Sequence, residues 1–270
     1  MIVEIPDLTF DALDELSTAV ERGTLDALGH VRIQHASAVG PLTEFVLRQR
    51  EEAGIASRIE IASSKEHEAL IQAIEQGGVS GQRRGDVFGF FPSNRDPSSP
   101  DDDIWISWLY HAQMAAESVG IPKKLAHGLV GAIQELESNI YEHSERAETG
   151  VVGYRAASGT FEFVVADRGI GVFSSLRKSR QLSHLRDAGT ALRFALTEGC
   201  SRFGRDTGRG FGFRPLFSSL ATLDGILRFR SDDHALVISG RGPKLESARL
   251  MQRASSVGFS TSVRCHAGRS

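Results

Sequence analysis

Cysteine is almost missing from this 270-residue chain. Cys200 and Cys265 are the only two, far apart and in no Cys-x-x-Cys spacing. That excludes a disulfide framework and a cysteine-built zinc site, and it makes a reducing cytoplasm the expected setting. Long apolar runs are missing as well. No stretch of about 18 apolar residues occurs, so no membrane span is expected. The start, Met1 to Asp7, has no basic region ahead of an apolar one, so no signal peptide is expected. Nor is there a strong excess of charge. The net value of -3 leaves no electrostatic footprint for DNA or RNA, and nucleic acid is not an expected partner. What is present, 40% hydrophobic and 24% charged residues, describes one or two globular domains large enough to bury a core.

The charge is unevenly placed. Residues 1–100 hold 9 Lys+Arg against 16 Asp+Glu, a net of -7, and the rest hold 22 against 18, a net of +4. A mildly basic C-terminal part suits a nucleotide phosphate. The first hundred residues alternate in type. Asp11–Arg22 reads as a short helix and His30–His35 as a strand. A helix opens at Gly40-Pro41 and runs to about Ala53. Ser57–Ala62 reads as a second strand, and Lys65–Gln76 as a helix stopped by Gly77-Gly78. This order predicts a small α/β layer with parallel strands. Phe91 to Asp103 is dense in Pro, Ser and Asp, has no periodicity, and reads as a linker. The expected domains are 1–91 and 104–270, joined by 92–103.

Beyond the linker, Ile104–Val119 reads as a helix with Trp105, Trp108, Leu109, Ala112 and Ala116 turned inward. A longer helix starts at Ile121-Pro122. In it, Leu125, Leu129, Ile133, Leu136 and Ile140 recur at three- and four-residue steps and form an apolar face. Glu135, Asn139 and His143, spaced by four, share a second face. A carboxylate one turn from a carboxamide can orient a water and offer an amide oxygen to Mg²⁺. A solvated polar face explains the same spacing equally well, and capping or packing explains His143. Glu137 and Glu142 fall off that face and read as ordinary helix surface.

Gly150–Ala156 and Thr160–Ala166 alternate and read as a hairpin across Ala157-Ser158-Gly159. Its second strand runs into Asp167-Arg168-Gly169-Ile170-Gly171. A carboxylate ending a buried strand accepts well from an exocyclic amine, and the glycines admit a flat ligand. An ordinary tight turn uses the same residues. Further on, Thr207-Gly208-Arg209-Gly210-Phe211-Gly212 leads into a predicted helix, Phe213–Leu220, an arrangement suited to phosphates. A dinucleotide-binding Rossmann unit does not fit, because no strand leads directly into this run and no acidic residue ends a following strand at the required distance. Gly225–Phe229 and Ala235–Ser239 then read as a second hairpin turning across Arg230–His234, and Lys244–Ala254 as a late helix or long connection.

Three motifs thus stand in order: Glu-x-x-x-Asn on a helix, Asp-x-Gly-x-Gly after a hairpin, and Gly-x-Gly-x-Gly before a helix. In this the stretch from Trp105 to Val263 resembles the GHKL ATPase superfamily, which includes histidine kinases, type II topoisomerases, mismatch-repair ATPases and anti-sigma-factor kinases. The resemblance implies the GHKL (Bergerat) fold, an α+β sandwich whose largely antiparallel sheet lies under helices and holds ATP and Mg²⁺. It implies Glu135 as the general base or water-orienting carboxylate and Asn139 as the Mg²⁺ ligand. Asp167 becomes the acceptor of the adenine amine, with Gly169 and Gly171 beside the base. Thr207, Gly208, Arg209, Gly210, Phe211 and Gly212 become the phosphate loop, and Val172–Thr207 a mobile lid. Thr261 takes the place of a threonine that helps hold the adenine-side carboxylate, although Ser260 replaces the usual glycine before it.

Asn139-Ile140-Tyr141-Glu142-His143 resembles anti-sigma-factor serine kinases more than sensor histidine kinases, which implies that His143 orients a phosphate or a neighbouring side chain. Ala188–Arg202 resembles the lid of bacterial ATP-binding proteins that pair such an ATPase with a STAS-like N-terminus. Residues 1–91 in turn resemble a shortened STAS domain, through strand Val31–Gln34, the loop ending at Gly40 and the helix after it. Where that family carries Asp-Ser ahead of the glycine, this chain has Ala38-Val39, and Ser37 is the nearest hydroxyl. The resemblance implies a regulator that phosphorylates a serine of a partner protein. A slow ATPase switch and a non-enzymatic adaptor are the competing readings. The implied partner is a protein, such as a sigma factor, a STAS-type antagonist or another regulator, and a homodimer is compatible with it.

Overall fold

The protein is a mixed α/β structure of two sheets. The computed structural model describes residues 2–25, 29–51, 58–62, 64–77, 79–83, 85–93, 102–198 and 213–268. The N-terminal part alternates β1 (Ile2–Ile5), α1 (Phe10–Glu21), β2 (His30–Ile33), α2 (Val39–Glu51), β3 (Ile59–Ile61) and α3 (Lys65–Gln76). The strands are parallel, in the order β1-β2-β3. Alternation sets their faces: Val31, Ile33, Ile59 and Ile61 are buried while His30, Arg32 and Glu60 are exposed. Thr9 and Ser64 cap α1 and α3 by accepting from the amides of Ala12 and His67. Gly77, at φ 114°, ends α3 in a backbone conformation that glycine adopts freely. The parallel α/β layer is as expected. Strand β1 is not, because four residues carry too little alternation to be read.

The second sheet has six strands, all antiparallel, in the order β4-β5-β6-β7-β9-β8. Strands β4 (Val79–Arg83) and β5 (Asp86–Pro92) lie on the N-terminal side of the expected linker, yet β5 pairs with β6 (Val151–Ala157) from Val87↔Ala156 to Pro92↔Val151. This sheet therefore draws strands from both sides of residues 92–103. The run Val87-Phe88-Gly89-Phe90-Phe91 is the sequence signal for β5, and the neighbouring Pro and Ser obscured it. Pro92 is tolerated because it is the last residue of the strand.

After α4 (Asp102–Ser118) and α5 (Lys123–His143) come β6 and β7 (Thr160–Asp167), the expected hairpin. The chain then forms α6 (Gly171–Arg177), α7 (Ala188–Glu198) and α8 (Phe213–Leu220), followed by β8 (Asp224–Arg241) and β9 (Arg249–His266). The last two strands correct the sequence reading. Arg230–His234 is not a turn but an irregularity inside β8, with Asp232 at φ 53° and a register shift against β9. Lys244–Ala254 is no helix: a single 3-10 turn at Leu245–Ser247 leads directly into β9.

Strand β7 shows why the two parts cannot be treated separately. Phe163 and Val165 face α4, α5 and α8 in one apolar cluster, together with Trp105, Leu129, Ile133, Leu136 and Ile140. Val164 and Ala166 face the other way, in a second cluster with Val39, Leu42, Phe45 and Val46 of α2. The sheet is buried on both faces because the N-terminal part packs against the face away from α5.

Charge follows the same division. Asp14 of α1 bridges Arg228 at 2.8 Å and Arg253 at 2.7 Å. Glu44 of α2 lies 3.9 Å from Arg230, and Arg155 pairs with Asp86 at 2.8 Å and Glu66 at 4.0 Å. Arg48 donates to the carbonyl of Ser255 at 3.1 Å. Asp14, Glu44, Glu66 and Asp86 of the acidic N-terminal hundred residues thus face arginines of the basic remainder. These arginines are committed to those acids rather than to a phosphate.

Candidate functional site

The polar face of α5 is graded. Glu135 is exposed, while Asn139 and His143 are half-buried as the helix runs toward its C-terminal end. The apolar face is buried at Leu129, Ile133, Leu136 and Ile140, as the spacing requires. Glu137 departs from expectation. It is buried, and its Oε1 accepts a 2.8 Å hydrogen bond from Ser93 Oγ. It ties α5 to the end of β5, a contact the sequence reading of a helix-surface residue missed. A buried carboxylate needs such a donor, and the donor lies 44 residues away, where no local pattern points to it.

Asp167 ends β7 and is buried. Its Oδ1 accepts from the Gly169 amide at 2.7 Å. Burial lifts the carboxyl to about 6, against the lowering pull of hydrogen bonds from the Gly169 and Phe259 amides and of the nearby Arg168 charge. The following loop is pinned to the end of α5. Ile170 N–H donates to the Ser144 carbonyl at 2.9 Å, and Arg168 N–H donates to Thr149 Oγ1 at 2.9 Å. Arg146 Nη1 donates to the Arg168 carbonyl at 3.1 Å. A Cβ on Gly169 would stand 2.2 Å from that Ser144 carbonyl oxygen, so only glycine allows the approach. The Asp-x-Gly-x-Gly loop and the helix bearing Glu135, Asn139 and His143 are thereby brought together.

Thr261 is fully buried on β9, opposite Val165, while Asp167 stands opposite Phe259. By strand alternation Thr261 and Asp167 share the sheet face that carries α5. Among the described residues, Thr261 Oγ1 has no hydrogen-bond partner. A buried hydroxyl so placed can both donate to and accept from a polar partner. Gly258 brings β9 against the same corner. It adopts φ 84°, and a Cβ there would lie 2.0 Å from the Asp167 carbonyl oxygen. Gly258→Ala is expected to lower stability by about 2–3 kcal/mol through strain and overlap. A chemical-denaturation midpoint unchanged from wild type would contradict this.

Residues Val172 to Glu198, the first part of the expected lid, fold onto the long β8–β9 hairpin. Leu176, Leu185, Ala191 and Ala195 form a small cluster of their own, and Leu192 and Leu196 enter the main core. Arg177 stacks over Phe173 at 5.2 Å, and Lys178 pairs with Glu145. Thr207, Gly208, Arg209, Gly210, Phe211 and Gly212, the expected phosphate loop, lie outside the described residues, as do Arg202 and Arg205. Helix α8, expected just after that loop, is present and packs on α5. A Cβ on Gly128 would meet Ser219 Oγ at 2.1 Å, so this glycine permits the contact.

Among the described residues, no group of three or more His, Cys, Asp and Glu side chains is placed to hold a metal ion by itself. No helix there is long and apolar enough to cross a membrane. Comparison of the sequence with models of known protein families and with curated proteins gives no match.

Proposed function

We propose that the chain is a Mg-ATP-binding regulatory protein of the GHKL type, which phosphorylates a serine of a partner protein in the manner of anti-sigma-factor kinases. One observation carries the reading. A buried carboxylate, Asp167, ends a core strand on the same sheet face as the orphaned hydroxyl of Thr261, and its glycine loop is fastened to the end of the helix that presents Glu135 and Asn139. These residues fit the proposed ligands. Asp167 Oδ would accept from the adenine amine, and a flat base would lie against backbone at Gly169 and Gly171. Asn139 would offer its carboxamide oxygen to Mg²⁺. Glu135, exposed on the same helix face, would take the proton of an attacking hydroxyl. When bound, the nucleotide would supply the phosphoryl group.

A second reading is a slow ATPase switch, in which Glu135 orients water and nucleotide controls partner binding. The ionic contact of Asp14 with Arg228 and Arg253, which joins the N-terminal part to the sheet, is an interface on which such a switch would act.

Calorimetric titration with Mg-ATP tests the shared claim. Wild type is expected to bind, and Asn139→Ala to lose most of its Mg²⁺-dependent affinity; no binding by wild type would refute both readings. Incubation with γ-labelled ATP and candidate partners then separates them. Label on a partner serine, lost in Glu135→Ala, supports the kinase. Label released only as free phosphate supports the switch.

A further inference from the structure

The irregularity in β8 touches the Asp167–Gly171 loop on one side and the N-terminal part on the other. Ser231 Oγ accepts from the Val172 amide at 2.9 Å. The Asp232 carboxylate accepts from the Phe173 amide and from Ser231 Oγ. These two residues therefore hold the first turn of α6, directly after Gly171. The fit is close: a Cβ on Gly171 would stand 2.9 Å from Ser231 Oγ and 3.0 Å from Asp232 Oδ2. The preceding residue, Arg230, points away from the loop. It is almost fully buried and fixes the irregular backbone through three carbonyls: Asp232 at 2.6 Å, His234 at 3.0 Å, and Ala254. Its Nε lies 3.9 Å from Glu44 Oε1 on α2. Glu44 is itself buried and held by Ser260 Oγ at 3.4 Å.

Three consecutive residues thus carry contacts in opposite directions. Asp232, whose carboxylate holds α6, is also the residue whose carbonyl Arg230 grips, and the guanidinium faces the Glu44 carboxylate of α2. Arg230, Ser231 and Glu44 are all buried, and Arg230 and Glu44 line one small cavity with Arg168 and Gly258. We propose that the Arg230–Asp232 segment of β8 couples occupancy of the Asp167–Gly171 loop to the seating of α2 against the sheet, with the Arg230–Glu44 contact as the link. Arg230 and Glu44 are positioning residues in this scheme and touch no ligand. The proposal rests on the nucleotide reading of that loop. It adds the regulated element, which is the contact between the N-terminal part and the back of the sheet.

Hydrogen exchange on the full chain, with and without saturating Mg-ATP, tests it. In wild type, Mg-ATP is expected to slow exchange of the Gly169–Phe173 amides and also, at least about fivefold, of the Val39–Glu51 amides. Glu44→Gln keeps the shape but removes the charge. It is expected to abolish the response of Val39–Glu51 while the loop is still protected. Ser231→Ala, which removes the acceptor for Val172, is expected to do the same from the other end and serves if Glu44→Gln folds poorly. Amides of Lys65–Gln76 report any general tightening, which would not be lost in either variant. Protection of the loop with no slowing of Val39–Glu51 in wild type overturns the coupling, as does a response that survives both variants. If the loop itself gains no protection, the nucleotide reading fails first and the coupling with it.

Discussion

Asp167→Asn is expected to weaken Mg-ATP binding about 10- to 100-fold, the worth of a hydrogen bond to a charged acceptor. At pH 8 the same change is expected to make the ligand-free protein more stable, not less. The two effects have one cause. Asp167 is buried, and burial raises its carboxyl from 3.8 to about 6. The folded state therefore holds a proton that the unfolded state has already lost between those values. The sign follows: the carboxyl favours folding most below about 3.8, and that contribution disappears as the pH rises through about 6. Above 6 the protein carries a buried charge whose cost corresponds to up to about 3 kcal/mol. An asparagine keeps an oxygen for the Gly169 amide and carries no charge. Denaturant midpoints of wild type and Asp167→Asn at pH 8, 6 and 4 would show the gain, its decline and its disappearance. A variant less stable than wild type at pH 8 would mean that Asp167 is a structural anchor rather than a strained acceptor held for a ligand.

Asp14→Ala is expected to lower stability by about 3–5 kcal/mol, the largest loss foreseen for any single surface-like acid in the sequence. Nothing in its context, Leu13-Asp14-Glu15, distinguishes it from a solvated helix acid. In the structure it is buried, and its two oxygens receive Arg228 at 2.8 Å and Arg253 at 2.7 Å from adjacent strands. Arg228 is also buried and lies over the Phe10 ring at 4.4 Å. Removing the acid strands a guanidinium that water cannot reach. The exposed pair Arg32–Glu60 serves as the control, and Glu60→Ala there is expected to cost less than about 0.5 kcal/mol. Equal urea midpoints for Asp14→Ala and Glu60→Ala would show that the N-terminal part is not held by this contact.

Several features of the chain were legible without coordinates, and each is local. The three- and four-residue spacing of Leu129, Ile133, Leu136 and Ile140 gave the buried face of α5, because helical geometry alone puts those positions on one side. The alternating hairpin of β6 and β7 followed from a period of two, and the stop of α3 from Gly77. Other features were misread for equally physical reasons. Strand β8 looked like a hairpin because its polar stretch Ser231-Asp232-Asp233-His234 is rich in turn formers. Pairing with β9 on one side and the contacts of Arg230 on the other hold it as one strand. Strand β5 was hidden beside the Pro- and Ser-rich residues that follow it.

The site divides in the same way. Residue types and order placed Asp167 at a strand end with glycines after it, and put Glu135, Asn139 and His143 on one helical face. Those statements need only the covalent spacing of side chains along a helix or strand. Which groups meet is a different matter. That Ser144 receives the Asp167 loop, that Thr261 is left with an unused hydroxyl on the same sheet face as Asp167, and that Glu137 is buried against Ser93 depend on residues far apart in the chain. So does the placement of Arg228, Arg230 and Arg155 against Asp14, Glu44 and Glu66, which the charge asymmetry of the sequence does not reveal. Periodicity fixes what each element presents. Only packing, through desolvation and the pairing it enforces, decides which of those surfaces are spent on holding the fold and which remain open to a ligand.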